Sequence, residues 1–220
     1  MAYFYKLNYF RMKNPNRPNN SDFENFNFLT QLKKLQISFD KNEILEIDIK
    51  KNGYIYLPPN KENYIYEIIS GAVKLGGYSD DGESFVYEVL PPSEFFGNLK
   101  YLNNQFHEYA KAIVDSKIRV YDLDFFKTMV TNNPTISNWF ISYLVKRWCS
   151  AELKLKNIKE KQIEERIDYL NKHYNVEVID AKNNAHILFD LLTKKDMGDL
   201  IGVTRQTVSS ILHKEKKLIF

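Results

Sequence analysis

A regularly spaced group of hydrogen-bonding side chains lies near the C-terminus, between residues 193 and 214. Arg205 can donate two hydrogen bonds to O6 and N7 of guanine, and Gln206 can pair with N6 and N7 of adenine. Lysines on both sides are placed to meet phosphates, although a lysine run is usually only a solvated surface. The chemistry indicated is recognition of double-stranded DNA. The candidate DNA-contacting residues are Thr193, Lys194, Lys195, Thr204, Arg205, Gln206, Thr207, Ser209, Ser210 and Lys214.

Two short helices joined by a sharp turn would position this group. Thr193 is a predicted N-cap, and Asp196 follows it at the spacing of a capping box. Gly198 lets the second helix approach closely, and Gly202 can take the left-handed conformation that a sharp turn requires. Thr204 then caps the second helix. The alternative is a helical hairpin of an unrelated fold, because two short helices with a glycine turn are common.

A long stretch without glycine or proline precedes this segment and predicts a helix over 134–158, with proline in its first turn. Apolar residues near its start, Ile136, Trp139, Phe140 and Tyr143, suit docking on a neighbouring domain. A second apolar stripe advances by alternating steps of three and four, which predicts a coiled-coil dimer interface; the alternative is a helix packed only on its own chain. This dimer seam consists of Ile141, Leu144, Trp148, Ala151, Leu155 and Ile158.

Short segments of β-type sequence between residues 44 and 121 are separated by turn signals such as Asn52-Gly53. Many short strands at this spacing predict an antiparallel barrel or sandwich, in which 110–121 reads as one stretch of β-type sequence. A further helix is predicted over 159–174. The fold class is therefore α+β. The predicted organisation is an irregular lead-in over 1–27, a β domain over 28–133, a dimerisation helix over 134–158 and a helix-turn-helix domain over 159–220.

Composition limits the possible classes of protein. The net charge of +3 decides little, but residues 134–220 hold 15 Lys and Arg against 11 Asp and Glu, which favours an anionic partner for that part. The lone Cys149 excludes an internal disulfide and, by itself, an iron–sulfur or Cys-rich zinc site. We see no secretory signal and no apolar run of membrane length, so a cytoplasmic protein without a membrane partner is predicted.

An enzyme is the main competing class, because β-barrels of this size include metal-dependent cupins. Their metal needs clustered histidines and carboxylates, yet the β region contains only His107, while His173, His186 and His213 are dispersed beyond it. No nucleophile–base arrangement or phosphate-cradling glycine loop is apparent. The sequence therefore predicts no catalysis, no metal and no cofactor.

The order of these elements resembles the Crp/Fnr family of bacterial transcription regulators, over about residues 28–218. The resemblance implies a cyclic-nucleotide-binding-like β-roll of the double-stranded β-helix or jelly-roll type, and a homodimer joined by the long helix. It also implies a winged helix-turn-helix that reads a palindromic operator through 204–212, with RNA polymerase as a further candidate partner. The motifs that carry it are YEIISGAVK at 66–74, DGE at 81–83, FFG at 95–97, NP at 133–134 and the segment 192–212.

Departures from the family pattern concern the effector. In cyclic-AMP-binding members, a glutamate that follows Phe-Gly holds the ribose, and a later arginine pairs with the phosphate. In this sequence Asn98 replaces the glutamate and Glu108 replaces the arginine. A carboxylate would repel the phosphate, so cyclic AMP is not expected, and a single cysteine is too few for an Fnr-type cluster. The effector is unknown. The candidate effector-pocket residues are Phe96, Gly97, Asn98, Leu99, Glu108, Tyr109, Ala110 and, from the long helix, Glu152.

The predicted DNA-binding segment also departs from the family pattern. Gln206 replaces a frequent glutamate and Ser210 a frequent arginine, so we expect a different operator. Family members continue into a two-stranded wing, which is expected to be truncated here: either 218–220 forms one remaining strand, or lysines at 214, 216 and 217 contact phosphates instead. A constitutive DNA-binding dimer, whose roll no longer binds a ligand, is the alternative to an effector-gated regulator.

Overall fold

The computed structural model describes residues 26–58, 63–97 and 108–218, with side chains as far as residue 213. The first half is mainly β and the second mainly helical. In chain order the elements are α1 (Phe28–Lys34), β1 (Ile44–Ile49), β2 (Tyr54–Tyr56), β3 (Tyr64–Ser70), β4 (Val73–Tyr78), β5 (Ser84–Leu90), β6 (Phe95–Phe96), β7 (Glu108–Ala112), β8 (Ser116–Asp122), α2 (Leu123–Asn132), α3 (Pro134–Ile158), α4 (Ile163–Tyr174), β9 (Glu177–Ile179), β10 (Ala185–Ile187), a 3₁₀ turn (Leu188–Leu191), α5 (Lys194–Ile201) and α6 (Arg205–Leu218).

Two four-stranded antiparallel sheets form the β domain, in the orders β1-β8-β3-β6 and β2-β7-β4-β5. Side chains alternate across each strand, so every second residue faces the space between the sheets. Ile68, Val73, Leu75, Ala110 and Ile118 are buried there. We call this domain the roll.

An aromatic cluster closes one end of the roll against helices. Phe28 of α1 is fully buried among Phe95, Tyr121, Phe126 and Trp139, with ring centroids 5.1 to 6.5 Å apart. Rings at these separations gain edge-to-face and offset contacts beyond their apolar burial. The N-terminal part of α3 is thereby fixed to the roll.

The C-terminal module, from α4 to α6, packs on the outer face of the second sheet. Its core residues, among them Ile201 and Val208, form one buried cluster with Ala72 and Val86 of the roll. The β9–β10 hairpin joins the same contact, because the Gly71 amide donates to the carbonyl of Ile179 at 2.7 Å. The two parts of the chain therefore share a hydrophobic core.

The predicted α+β class, with two antiparallel sheets, a long helix and C-terminal helices, is confirmed. The stretch 110–121 is not one strand, because the chain reverses near Asp115, whose carboxylate accepts a hydrogen bond from the Lys51 amide at 2.7 Å. The alternative that 218–220 forms a strand is wrong at its first residue, because α6 continues to Leu218. Residues 219 and 220 lie outside the described residues.

Within the described ranges, no helix is long and apolar enough to cross a membrane. Those residues also contain no group of three or more His, Cys, Asp or Glu side chains that could hold a metal ion.

Candidate nucleic-acid interface and effector domain

Helix α5 begins with a complete capping box. The Asp196 amide donates to Thr193 Oγ1 at 3.1 Å, and the Thr193 amide donates to Asp196 Oδ2 at 3.1 Å. Gly202 ends the helix with φ of 71°, in the left-handed region. A Cβ on Gly198 would lie 2.7 Å from the carbonyl oxygen of Val203, so only glycine permits this close turn. The sharp turn between α5 and α6 therefore follows directly from the local sequence.

The second helix presents polar side chains on its exposed face. The Thr207 amide donates to Thr204 Oγ1 at 3.2 Å, which caps the helix, and Val208 and Ile211 are buried against α5. Arg205 and Gln206 are exposed, as are Thr204 and Ser210, while Thr207 and Ser209 are half-buried. Side chains described on α6 end before Lys214.

The two lysines of α5 differ in their surroundings. Lys194 Nζ donates to Ser209 Oγ at 2.9 Å and so lies beside α6. Lys195 Nζ instead donates to the carbonyl of Ser84 at 2.6 Å and to Asp199 Oδ2 at 2.9 Å. The ammonium group of Lys195 is thus held beside the roll, and its contact with a phosphate stays a prediction.

Glu108 is the buried polar centre of the roll. Its carboxylate accepts hydrogen bonds from the hydroxyls of Tyr56 and Tyr87, and only 3% of the residue is exposed. Burial raises the pKa of Glu108 to about 7, against the lowering effects of the Tyr56 hydroxyl and of the charge on Arg147. A carboxyl group that is half protonated near neutral pH thus occupies the position predicted to face an effector.

The other predicted effector residues divide between the two faces of the sheet. Ala110 is buried inside with Phe96, whose ring stacks on Tyr66 with centroids 5.2 Å apart. Gly97 has φ of 88° and leaves room for the Tyr66 ring. Tyr109 lies on the outer face, where its hydroxyl donates to the carbonyl of Phe85 at 3.3 Å, because neighbouring residues on a strand alternate. The structure therefore does not bring Tyr109 together with Phe96 and Ala110.

Comparisons with known proteins agree with this geometry. A family model described as the cyclic nucleotide-binding domain matches residues 46–133. The chain is 22% identical over 175 residues to the CRP-like cAMP-activated global transcriptional regulator of Mycobacterium tuberculosis, covering 77% of this chain and 76% of that protein. It is 23% identical over 175 residues to the Global nitrogen regulator of Synechococcus elongatus, covering 75% and 77% respectively. Among solved structures, a CooA mutant from Carboxydothermus hydrogenoformans matches with a TM-score of 0.63 and 20% identity, covering 88% of this chain and 86% of that one.

The chain is similar to Crp/Fnr transcription regulators over about three quarters of its length, and residues 46–133 match a cyclic nucleotide-binding domain. These relatives are transcription regulators rather than enzymes, in agreement with the predicted family resemblance and the predicted absence of catalysis.

The predicted dimer seam is largely uncovered in the single chain. Ile141, Leu144, Trp148 and Leu155 are 48% to 63% exposed, and Ala151 is exposed as well. The alternative that this stripe packs on its own chain is therefore wrong for these residues. Ile158 differs: it is half-buried, and its Cγ2 lies 3.5 Å from where Gly202 would carry a Cβ. Ile158 therefore contacts the helix-turn-helix of its own chain.

Glu152 does not line the roll, in contrast to the prediction. Its side chain is exposed and accepts a hydrogen bond from Trp148 Nε1 at 2.7 Å, one helical turn away. Glu152 lies on the long helix, as predicted, but on the same side as the exposed Trp148. Asn98 and Leu99, also predicted for the pocket, lie outside the described residues.

Several contacts between the roll and the C-terminal module were not predicted from the sequence. Lys74 Nζ forms an ion pair with the buried Asp196 at 2.7 Å, and Asp199 Oδ2 accepts the Val86 amide at 3.0 Å. Glu88 on β5 accepts from Tyr174 of α4 at 3.3 Å and pairs with Lys154 of α3. Each contact joins residues more than 60 positions apart, and no local pattern predicts such pairs.

Proposed function

We propose that this regulator is a homodimer that binds a two-fold symmetric operator, inserting α6 of each subunit into the major groove. The carrying observation is that Arg205 and Gln206 project from the first turn of a helix capped by Thr204, while Val208 and Ile211 anchor the opposite face. In helix-turn-helix proteins the N-terminal residues of the second helix contact base edges. Lys194, beside Ser209, is placed to reach the flanking phosphate backbone.

The test is operator selection from random duplex DNA, followed by substitution of Arg205. Arg205→Ala is expected to weaken binding to the selected operator by about 1–3 kcal/mol per half-site and to relax sequence preference at one base pair. Lys172→Ala removes an exposed positive charge from α4 of the same module and serves as the control. Unchanged affinity and preference in Arg205→Ala would show that α6 does not read the bases.

Dimerisation through α3 is supported by the uncovered seam. Apolar residues exposed at Ile141, Leu144, Trp148 and Leu155 repeat every three or four positions, and a coiled coil with a second copy would bury them together. Two half-sites one helical turn apart would then face the two α6 helices. Sedimentation of the purified chain should give the mass of a dimer.

We also propose that cyclic AMP does not control this regulator. Both oxygens of Glu108 are engaged by tyrosine hydroxyls at the position where the resemblance places a phosphate-binding arginine. Calorimetry is expected to detect no binding of cyclic AMP; micromolar affinity would contradict the proposal.

A constitutive DNA-binding dimer is the second candidate, and one observation favours it. The rings of Tyr56, Tyr66 and Phe96 fill the roll beside Glu108, with centroids 5.2 to 6.1 Å apart. In that case operator affinity of the purified chain would be high without any added small molecule and would not change when metabolites are added.

A further inference from the structure

A cleft opens where the roll, the long helix and the C-terminal module meet. One wall is the end of β5 with the loop after it, the second is the middle of α3, and the third is the end of α4 with the chain beyond it. Its volume is about 180 Å³. At roughly 30 Å³ per water, the cleft holds about six waters, which is the space of a small metabolite. We call it the interdomain cleft.

Charged groups in and around the interdomain cleft leave one positive charge in excess. Glu88 pairs with Lys154, and Glu94 lies 3.4 Å from Lys146 Nζ. Arg147 Nη1 lies 3.9 Å from Glu88 Oε2 and 3.9 Å from Glu94 Oε2, too far for a hydrogen bond to either. Three cations thus face two carboxylates, and Arg147 is the cation with no close partner of its own.

Polar groups with unused hydrogen-bonding capacity converge on the same space. Within the described residues, Arg147, Ser150 and His173 all line the cleft, and none of them makes a side-chain hydrogen bond. Burial and the nearby Lys154 lower the pKa of His173, with Glu88 and Glu94 opposing, so its ring is neutral at pH 7 and offers one donor and one acceptor. The remaining lining is apolar, from Leu90, Pro91 and Val176 among others.

We propose that the interdomain cleft binds a small organic monocarboxylate with a short apolar chain, and that this ligand is an effector of the regulator. The guanidinium of Arg147 would hold the carboxylate through two parallel hydrogen bonds. Ser150 or His173 would bind a hydroxyl, and Leu90 and Val176 would contact the apolar carbons. This site is separate from the roll interior around Glu108.

A ligand in the interdomain cleft would affect DNA binding, because it would contact both the roll and the C-terminal module. The ligand would touch α3 and the roll on one side and His173 and Val176 of the C-terminal module on the other. A ligand shifts an equilibrium between two conformations only if it binds one of them more tightly. A site formed by both the roll and the C-terminal module provides that difference, because its shape depends on how the two parts are arranged. The regulatory part of the proposal rests on the proposed function, whereas the binding part does not.

Calorimetry with the full chain and 3-hydroxybutyrate tests the binding part. This probe carries one carboxylate, one hydroxyl and a methyl group, and saturable binding is expected. Butyrate, which lacks the hydroxyl, should bind more weakly, and n-butylamine, of opposite charge, should not bind. If 3-hydroxybutyrate, lactate and butyrate all fail to bind, or if the amine binds as well as the acids, the proposal is overturned.

Two variants locate the probe. Arg147→Met should weaken binding about tenfold or more, since a charge-assisted bidentate pair is lost. Lys156→Met removes the same charge from an exposed position of α3 outside the cleft and should change the affinity less than about twofold. Equal losses in both variants would indicate general charge attraction and would overturn the site.

A second pair of variants adds a tryptophan ring without changing the charge, inside the cleft in one variant and away from it in the other. Val176→Trp should block binding of the probe, whereas Leu57→Trp, on the exposed surface of the roll, should not. Operator binding of the same preparations, measured without the probe, separates the two proposals. If probe binding disappears with Arg147→Met while the probe leaves operator affinity unchanged, the cleft is a ligand site without regulatory effect, and the effector part is overturned.

Discussion

Two tryptophans on the same helix show how differently the two ends of α3 are used. Trp139 is 5% exposed and packs between Phe26, at 4.5 Å between ring centroids, and Phe95, at 5.1 Å. Trp148, nine residues later, is 63% exposed, and its indole N–H donates to Glu152 on the same helix. The first tryptophan belongs to the core of one chain, and the second belongs to a surface that one chain leaves uncovered.

One helix therefore has two apolar surfaces in succession, of which the first is buried and the second is exposed. Near its start the apolar residues face the roll, and Tyr143 marks the end of this contact, because its hydroxyl meets the backbone of Phe95. Arg147 still faces the roll, while the residues of the seam point to the other side. An exposed apolar stripe of this length indicates a partner surface.

The largest expected effect is at the buried end. Trp139→Ala should lower the free energy of unfolding by about 3–5 kcal/mol, because it removes a large ring from a packed cluster and leaves a cavity. Urea denaturation followed by circular dichroism measures it. A loss below about 1 kcal/mol would show that α3 is not anchored to the roll through this residue.

Between the two ends, burial of Glu108 makes stability depend on pH, and the charge of Arg147 on α3 opposes this effect. Because the pKa of Glu108 is raised from 4.5 to about 7 in the folded chain, the folded state holds this proton more tightly than the unfolded state in that interval. The Glu108 contribution to stability is therefore full below pH 4.5 and falls, by roughly 3 kcal/mol, as the pH rises to about 7. Denaturation at pH 5 and pH 8 measures it.

Glu108→Gln should flatten this pH dependence, since the amide does not titrate. Glu83→Gln, in an exposed turn of the roll, is the matched control and should keep the slope of the natural sequence. The same slope in both variants would place the titrating group elsewhere.

At the exposed end, Trp148→Ala should leave the fold of the subunit intact and weaken the dimer. Tryptophans at the centre of an interface contribute about 2 kcal/mol or more, which corresponds to roughly a 30-fold rise of the dissociation constant. Sedimentation equilibrium over a dilution series measures it. If the variant dimer is as tight as that of the natural sequence, the interface lies on another surface. That result would contradict the inference that Trp148 is exposed because a second subunit covers it.

The smallest expected effect tests where the contact between α3 and the roll ends. Tyr143→Phe removes a hydroxyl that accepts from the Phe95 amide at 2.9 Å and lies 3.0 Å from Glu94 Oε2. The free energy of unfolding should fall by about 1 kcal/mol, because the amide loses its partner while the ring remains. Tyr169→Phe, on α4, is a control for loss of a tyrosine hydroxyl. Equal stability of the Tyr143 variant and the natural sequence would move the boundary of the roll contact toward the start of α3.

Local patterns were sufficient for part of the fold and of the candidate site. The caps at Thr193 and Thr204 and the turn at Gly202 depend on residues a few positions apart. The stretch without glycine or proline that predicted a helix over 134–158 matches α3. The docking of α5 on β5 was not predicted, because it rests on pairs such as Val86 with Asp199 that are distant along the chain. The β9–β10 hairpin is local, but its three-residue strands are too short to show an alternating pattern.

The order of the main elements, the resemblance to Crp/Fnr regulators and the exposed polar face of α6 follow from the sequence, because caps, glycines and apolar spacing act within a few residues. The direction in which individual side chains face depends on the tertiary structure. That structure put Glu108 inside the roll and Tyr109 outside, and it bound Lys195 to the carbonyl of Ser84. It also brought Arg147, Ser150 and His173 to one cleft. The reason is physical: strand pairing and packing between domains set these positions through contacts between residues far apart in the chain, which leave no periodic trace in the sequence.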